Sequence, residues 1–277
     1  MNKIWNAADA VAWGVAEFGD LSPFMSTKAL EAVYTLCPNP TCVMVGAFSY
    51  FVTDSPGNLS LYCRGEDYHR VVMRRLLGIA ETLKKQYPDH RFIPGVDNSP
   101  LPERTAARLA GIGICGHNGP IIVPPYGSYV FLGTILSDLT LTQVGKTQAS
   151  PSCEQCYACV KACPTAALTE QGCDYDRCLS RISQKKGTLS PEEIAWMKQS
   201  PTIWGCDLCQ RACPHNQAPK STHIPEFMQG ILVNLSRSDL TGLSNRTFRE
   251  QYGDRAFAWR GLATVRRNLE LSDQNCE

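Results

Sequence analysis

The sequence predicts an α+β protein: an N-terminal α/β domain with a central sheet, followed by a small domain dense in cysteine. Three observations predict it. Short apolar runs alternate with helical periodicities over residues 1–145, a mixture that indicates a sheet covered by helices. Nine of the 14 cysteines fall between Cys153 and Cys213. A polar stretch from Thr140 to Pro151 reads as the linker between the two parts. The expected division is 1–145, 146–220 and 221–277, the last a helical segment packing on the other two. A length of 277 residues accommodates this at roughly 150 residues per domain.

The elements follow in order. Cys42–Tyr50 is a nearly continuous apolar run, the pattern of a buried strand. From Glu66 to Tyr87, residues Val72, Leu76, Ile79, Leu83 and Tyr87 share one helical face, and Pro88 stops the helix. Arg91–Val96 is a second strand, Pro102–Ala110 a short helix, and Pro120–Val123 and Tyr129–Leu136 two further strands. In the cysteine-dense part, Ser190, Pro191 and Glu193 spell an N-cap, a first-position proline and a capping box. Residues 221–277 carry at least one helix, capped near Ser244 and ending at Gly253.

Composition narrows the function. A 43% apolar and 19% charged chain of net charge +1 is neither disordered nor built for tight nonspecific nucleic-acid binding. The longest apolar stretch, Cys42 to Val52, is eleven residues, too short for a bilayer. Asp9 and Glu17 interrupt the only candidate signal-peptide core. No membrane partner and a reducing cytoplasmic setting are therefore expected.

The cysteines carry the chemistry. Cys153, Cys156, Cys159 and Cys163 are spaced by two, two and three residues and close on Pro164. Cys206, Cys209 and Cys213, followed by Pro214, repeat the tail of that pattern. This is the bacterial ferredoxin ligand run, in which a short loop brings three thiolates to one cube while the fourth serves the other. Zinc is the alternative for Cys-x2-Cys pairs, but it has no use for the Cys-Pro form occurring once whole and once in part. A bacterial ferredoxin-like double-cluster domain with two 4Fe-4S clusters is expected. Crossed ligation then assigns Cys153, Cys156, Cys159 and Cys213 to one cluster. The other takes Cys163, Cys206, Cys209 and either Cys178 or Cys173. Cys178 is favoured because it opens a helix whose N–H groups would stabilise a thiolate.

The N-terminal half offers weaker signals. Gly111-Ile-Gly113-Ile-Cys-Gly116 matches a dinucleotide fingerprint, but it follows a helix and leads toward a strand, the wrong context. Asp97 stands at the C-terminal end of a strand, where α/β sheets build sites, or serves as a helix cap. Enclosed by apolar surface, its pKa would rise and it would donate a proton at neutral pH. Asp67, Tyr68 and His69 open a helix and read first as a solvated N-terminal turn.

Several ordered motifs together resemble one family. They are Tyr62-Cys63-Arg64-Gly65-Glu-Asp67-Tyr68-His69, Val96-Asp97-Asn-Ser-Pro-Leu-Pro-Glu103-Arg104, Gly111 to Asn118, Gly127 to Gly133, both cysteine runs, Ser244-Asn-Arg-Thr-Phe248 and Ala258-Trp259-Arg260-Gly261. In this order they resemble the epoxyqueuosine reductases, cobalamin-dependent iron–sulfur enzymes. The resemblance implies an N-terminal cobalamin-binding domain and reduction of epoxyqueuosine in tRNA, with electrons passing from a low-potential donor through the clusters to cobalt. It implies Asp97 as proton donor and Gly116, Asn118, Ile121, Val123 and Leu132 as corrin contacts, with Cys63 a further candidate. The family commonly carries Lys where His117 stands, and its longer members continue into helical repeats beyond the point where Glu277 ends this chain. Basic residues for tRNA are then Arg177, Arg181, Lys185, Lys186 and Arg211. Alternative readings are a corrinoid iron–sulfur reductase of another small substrate and a two-cluster electron-transfer protein.

Overall fold

A computed structural model describes residues 1–144, 150, 152–154 and 156–273. Cys276 and half of the expected linker, 145–149 and 151, lie outside the described residues. The chain divides into two compact units: Met1–Tyr50, Tyr68–Glu154 and Ala218–Ile224 form the first, and Phe51–Asp67, Gln155–Gln217 and Pro225–Glu277 the second.

The first unit is a four-stranded antiparallel sheet in the order β1-β2-β6-β3, with β1 Ala12–Glu17, β2 Cys42–Ser49, β3 Phe92–Gly95 and β6 Val130–Ser137. All of β2 is buried, as its apolar run predicts for a strand covered on both faces. Val43, Val45 and Ala47 face a core completed by Val33, Leu101, Ala106, Ala107 and Ile112. The helix Tyr68–Gln86 packs against β3 and β6, burying Val72, Leu76, Ile79 and Leu83 from the expected stripe. Gly133 permits this close seating, since a Cβ there would lie 2.8 Å from side-chain atoms of Val72 and Leu76.

Two differences from the sequence reading concern strands. β1 was not anticipated, because its six residues are short and broken by Gly14. Pro120–Val123 does not join the central sheet: β5, Ile121–Ile122, pairs with β4, Ile114–Cys115, in a separate hairpin.

The second unit consists of short helices joined by loops. Residues 51–67, expected in the N-terminal domain, group here because backbone bonds tie them in: Ser60 N–H to Trp204 O at 3.1 Å and Ile203 N–H to Asn58 O at 2.8 Å. Buried Asp207 accepts from Ser60 Oγ (2.5 Å) and Leu61 N–H (2.9 Å). The helix Pro191–Lys198 has the expected capping box at Ser190, and Asn245–Tyr252 is capped by Ser244 and ends at Gly253. Among the described residues no helix is long and apolar enough to cross a membrane.

Candidate functional site

The loop after β3 carries the most structured polar cluster of the first unit. Asp97 adopts a left-handed φ of 55°, and the Asn98 N–H reaches back across it to Val96 O at 2.6 Å. That conformation directs one carboxylate oxygen, Oδ2, to two donors: Tyr68 Oη at 2.9 Å and His69 Nε2 at 3.2 Å. Both come from the first turn of the helix seated over Gly133. Tyr68 is in turn stacked on Phe131 of β6, ring centroids 4.3 Å apart, and on His69 at 4.0 Å. The sheet thus sets where the two donors stand. Oδ1 of Asp97 has no hydrogen-bond partner among the described residues.

The backbone of Asp97 is held from the other side. Its N–H donates to Glu103 Oε1 at 2.7 Å, from the first residue of the helix Glu103–Leu109. The cap of that helix is Pro102, so the helix-cap reading of Asp97 does not hold. The next residue, Arg104, stands against the turn Gly116–Gly119: a Cβ on Gly119 would lie 2.8 Å from Arg104 Nη1, and the glycine has φ 97°. One helical turn therefore touches both loops.

The electrostatics of the two acids diverge. The His69 hydrogen bond, aided by that of Tyr68, holds the Asp97 carboxyl below the usual aspartate range, against the opposing effect of burial. Donors, not apolar enclosure, dominate, so the direction is the reverse of the rise that enclosure alone would cause. Burial pushes the Glu103 carboxyl up to about 8, and the neighbouring Asp97 charge adds to the rise.

Of the remaining corrin candidates, Gly116 and Asn118 are half-buried in the turn between β4 and β5, within a half-buried strip spanning residues 113–120. Ile121 and Val123 are core residues at 4% and 5% exposure, so they can offer a ligand little beyond backbone groups. Leu132 is half-buried on β6. Cys63 belongs to the second unit, is fully buried, and its thiol donates to Ser60 O at 3.1 Å. Burial pushes that thiol strongly up.

None of the thirteen described cysteines forms a disulfide. Cys153 is pinned to the glycine turn: its N–H donates to Cys115 O at 2.9 Å and its sulfur accepts the His117 N–H at 3.2 Å. In the second unit, Cys159 lies in the helix Ala158–Lys161 with Cys156 and Cys163 on either side, and Cys209 lies in Leu208–Arg211 between Cys206 and Cys213. Cys178 is the N-cap of Leu179–Ser183, yet its sulfur makes no capping hydrogen bond, so the expected stabilisation by helix N–H groups is missing. Burial pushes the Cys206 thiol up to about 12, and the neighbouring Cys209, Asp207 and Cys178 add to the rise. Cys173 lies on the two-residue strand Gly172–Cys173, paired with Leu168.

Four of the five expected basic residues are engaged within the second unit. Arg181 pairs with Asp176, Lys185 with Glu193 and Arg211 with Asp54, while Arg177 lies over the Trp196 ring.

Fold and ligand runs together define an iron–sulfur protein of the double-cluster class. Residues 152–216 match the family model of the 4Fe-4S double cluster binding domain. Residues 32–98 match the model described as epoxyqueuosine reductase QueG, DUF1730. An epoxyqueuosine reductase of Synechocystis sp. is 30% identical over 91% of this chain and 89% of its own length. That of Lactococcus garvieae is 36% identical over 77% of this chain and 60% of its own. The chain belongs to the epoxyqueuosine reductase family. It spans 56–60% of the length of the first three curated relatives it matches. Among solved structures, an epoxyqueuosine reductase with an epoxyqueuosine-modified tRNA-Tyr stem loop superposes with TM-score 0.83 at 26% identity, covering 99% of this chain and 80% of the other. The Bacillus subtilis enzyme, solved with an aspartate catalytic loop swung out of its active site, gives TM-score 0.83 at 27% identity, with 99% and 81% covered.

Proposed function

We propose that this protein reduces epoxyqueuosine in tRNA to queuosine as a cobalamin- and iron–sulfur-dependent reductase, with Asp97 as the residue that delivers a proton. The observation that carries the reading is the Asp97 carboxylate, fixed by two side-chain donors and one backbone bond at the end of a sheet strand. Removing an epoxide oxygen as water consumes two electrons and two protons. Bound cobalamin and two 4Fe-4S clusters supply the low-valent metal chemistry and the single-electron transfers.

The residues fit these groups. Cys153, Cys156, Cys159, Cys163, Cys178, Cys206, Cys209 and Cys213 are the ligand set for the clusters. The half-buried strip 113–120, with backbone groups and small side chains at Gly116 and Asn118, suits a flat ligand, and Arg104 connects this turn to the Asp97 loop. The chain's own part is to bind, orient and move a proton. Asp97 rests as an anion held at Oδ2 by His69; a proton taken up on Oδ1, which accepts from no side chain, is delivered from there to the departing oxygen. Tyr68 keeps the carboxylate oriented during the transfer.

The tRNA substrate is supported by the related structure with a modified stem loop. The internal pairing of Arg181, Lys185 and Arg211 favours a second reading, the same chemistry on a small substrate, because those cations already have partners.

Anaerobic incubation of the reconstituted full chain with epoxyqueuosine-containing tRNA, followed by nucleoside mass analysis, tests the proposal. Queuosine is expected, and conversion by Asp97→Asn is expected to fall by about 10²–10⁴-fold with clusters intact. Cobalamin-loaded protein that leaves the tRNA unchanged would refute the tRNA substrate.

A further inference from the structure

We infer that Glu103 is a positioning residue for Asp97: by accepting the Asp97 N–H, its carboxyl group fixes the loop in the conformation that brings the Asp97 side chain to Tyr68 and His69. The inference rests on the reading of Asp97 given above.

Three observations carry it. A non-glycine residue at φ 55° sits in a sparsely populated region and needs its surroundings to hold it there. The bond that reaches its backbone from outside the loop comes from Glu103, at 2.7 Å. Packing fixes the loop at its ends, where Val96 and Leu101 are buried; between them it borders a solvent-open pocket of about 300 Å³ lined by Ile93, Asn98, Ser99 and Pro100. There the loop is placed by its hydrogen bonds. The strand before it is anchored by Thr134 Oγ1 to Gly95 O at 3.2 Å, so the freedom that remains begins beyond Gly95, where Glu103 acts. Arg104 extends the control to the Gly116–Gly119 turn, and the first turn of this helix thereby sets the spacing of the two loops.

Glutamine retains the accepting oxygen, alanine removes it, and aspartate keeps the charge but falls one methylene short. Hydrogen exchange at the Asp97 amide, measured on the reconstituted full chain in a peptide that begins at or before Ile93, reads the bond directly. Glu103→Ala and Glu103→Asp are expected to speed exchange at the Asp97 amide about tenfold or more, and Glu103→Gln to restore protection to within about threefold of the parent. In turnover, kcat follows the same order while KM and cobalamin affinity stay constant. Unchanged exchange in Glu103→Ala, or Glu103→Gln exchanging as fast as Glu103→Asp, would overturn the inference; if Glu103→Ala fails to fold, the Gln and Asp variants decide alone. An active Asp97→Asn enzyme would instead sink the proton-delivery reading and leave the exchange pattern to judge Glu103.

Discussion

The two units of this protein build their chemistry in opposite ways. The first holds its polar cluster on a sheet whose central strand is buried throughout, and every donor to Asp97 is placed by packed side chains or a helix terminus. The second spreads its cysteines over helices of four or five residues, too short to be stable alone. Its ligands are ordered along the sequence, but their final arrangement depends on the group they hold. A preformed site needs a core, whereas a cluster site needs a spacing.

The largest expected break falls on the second unit. Cys209→Ser should lower bound iron from about eight to about four per chain and loosen the helix Leu208–Arg211, while the sheet of the first unit persists. Iron analysis with hydrogen exchange checks both halves of that statement. Within the first unit, Phe48→Ala removes a fully buried ring from β2 and should cost about 3–5 kcal/mol, read by thermal unfolding of that unit.

A subtler contrast is electrostatic. Burial holds the Glu103 carboxyl up at about 8 in the folded protein, against about 4.5 for the unfolded chain. Between those values the folded state keeps a proton that the unfolded state has lost, so stability falls as pH rises from about 4.5 to about 8 and levels off above. The slope should flatten in Glu103→Gln. Asp97, with its pKa lowered, acts in the other direction and only at acid pH, where stability declines as the carboxylate is protonated. Denaturant midpoints across pH separate the two. The smallest effect is expected at Ser190→Ala, which removes one cap hydrogen bond from Pro191–Lys198 and should cost about 1 kcal/mol in the second unit.

Much of this was legible in the sequence where a local rule governs. The buried strand, the amphipathic helix over it and the capping box at Ser190 follow from periodicity and spacing alone. The ferredoxin runs were legible for the same reason, since ligand chemistry is written in short intervals. What was missed depends on long-range placement. Tyr68 and His69 read as a solvated helix start because nothing local says that Phe131 and Asp97 stand above them. Glu103 gave no signal beyond its place in the Asp97 motif, as its role is a backbone bond across six residues. Residues 51–67 group with the second unit through strand-like bonds of Asn58 and Ser60 to Ile203 and Trp204, which leave no trace in composition.

A cobalamin held by the first unit beside Asp97 is the centre of the proposed function. Titration of the anaerobically reconstituted chain with cob(II)alamin, followed by its visible spectrum, tests this most directly. A saturable change near one equivalent, retained in Asp97→Asn, is the predicted result. No binding by a chain that carries about eight irons would contradict it and leave a two-cluster electron-transfer protein.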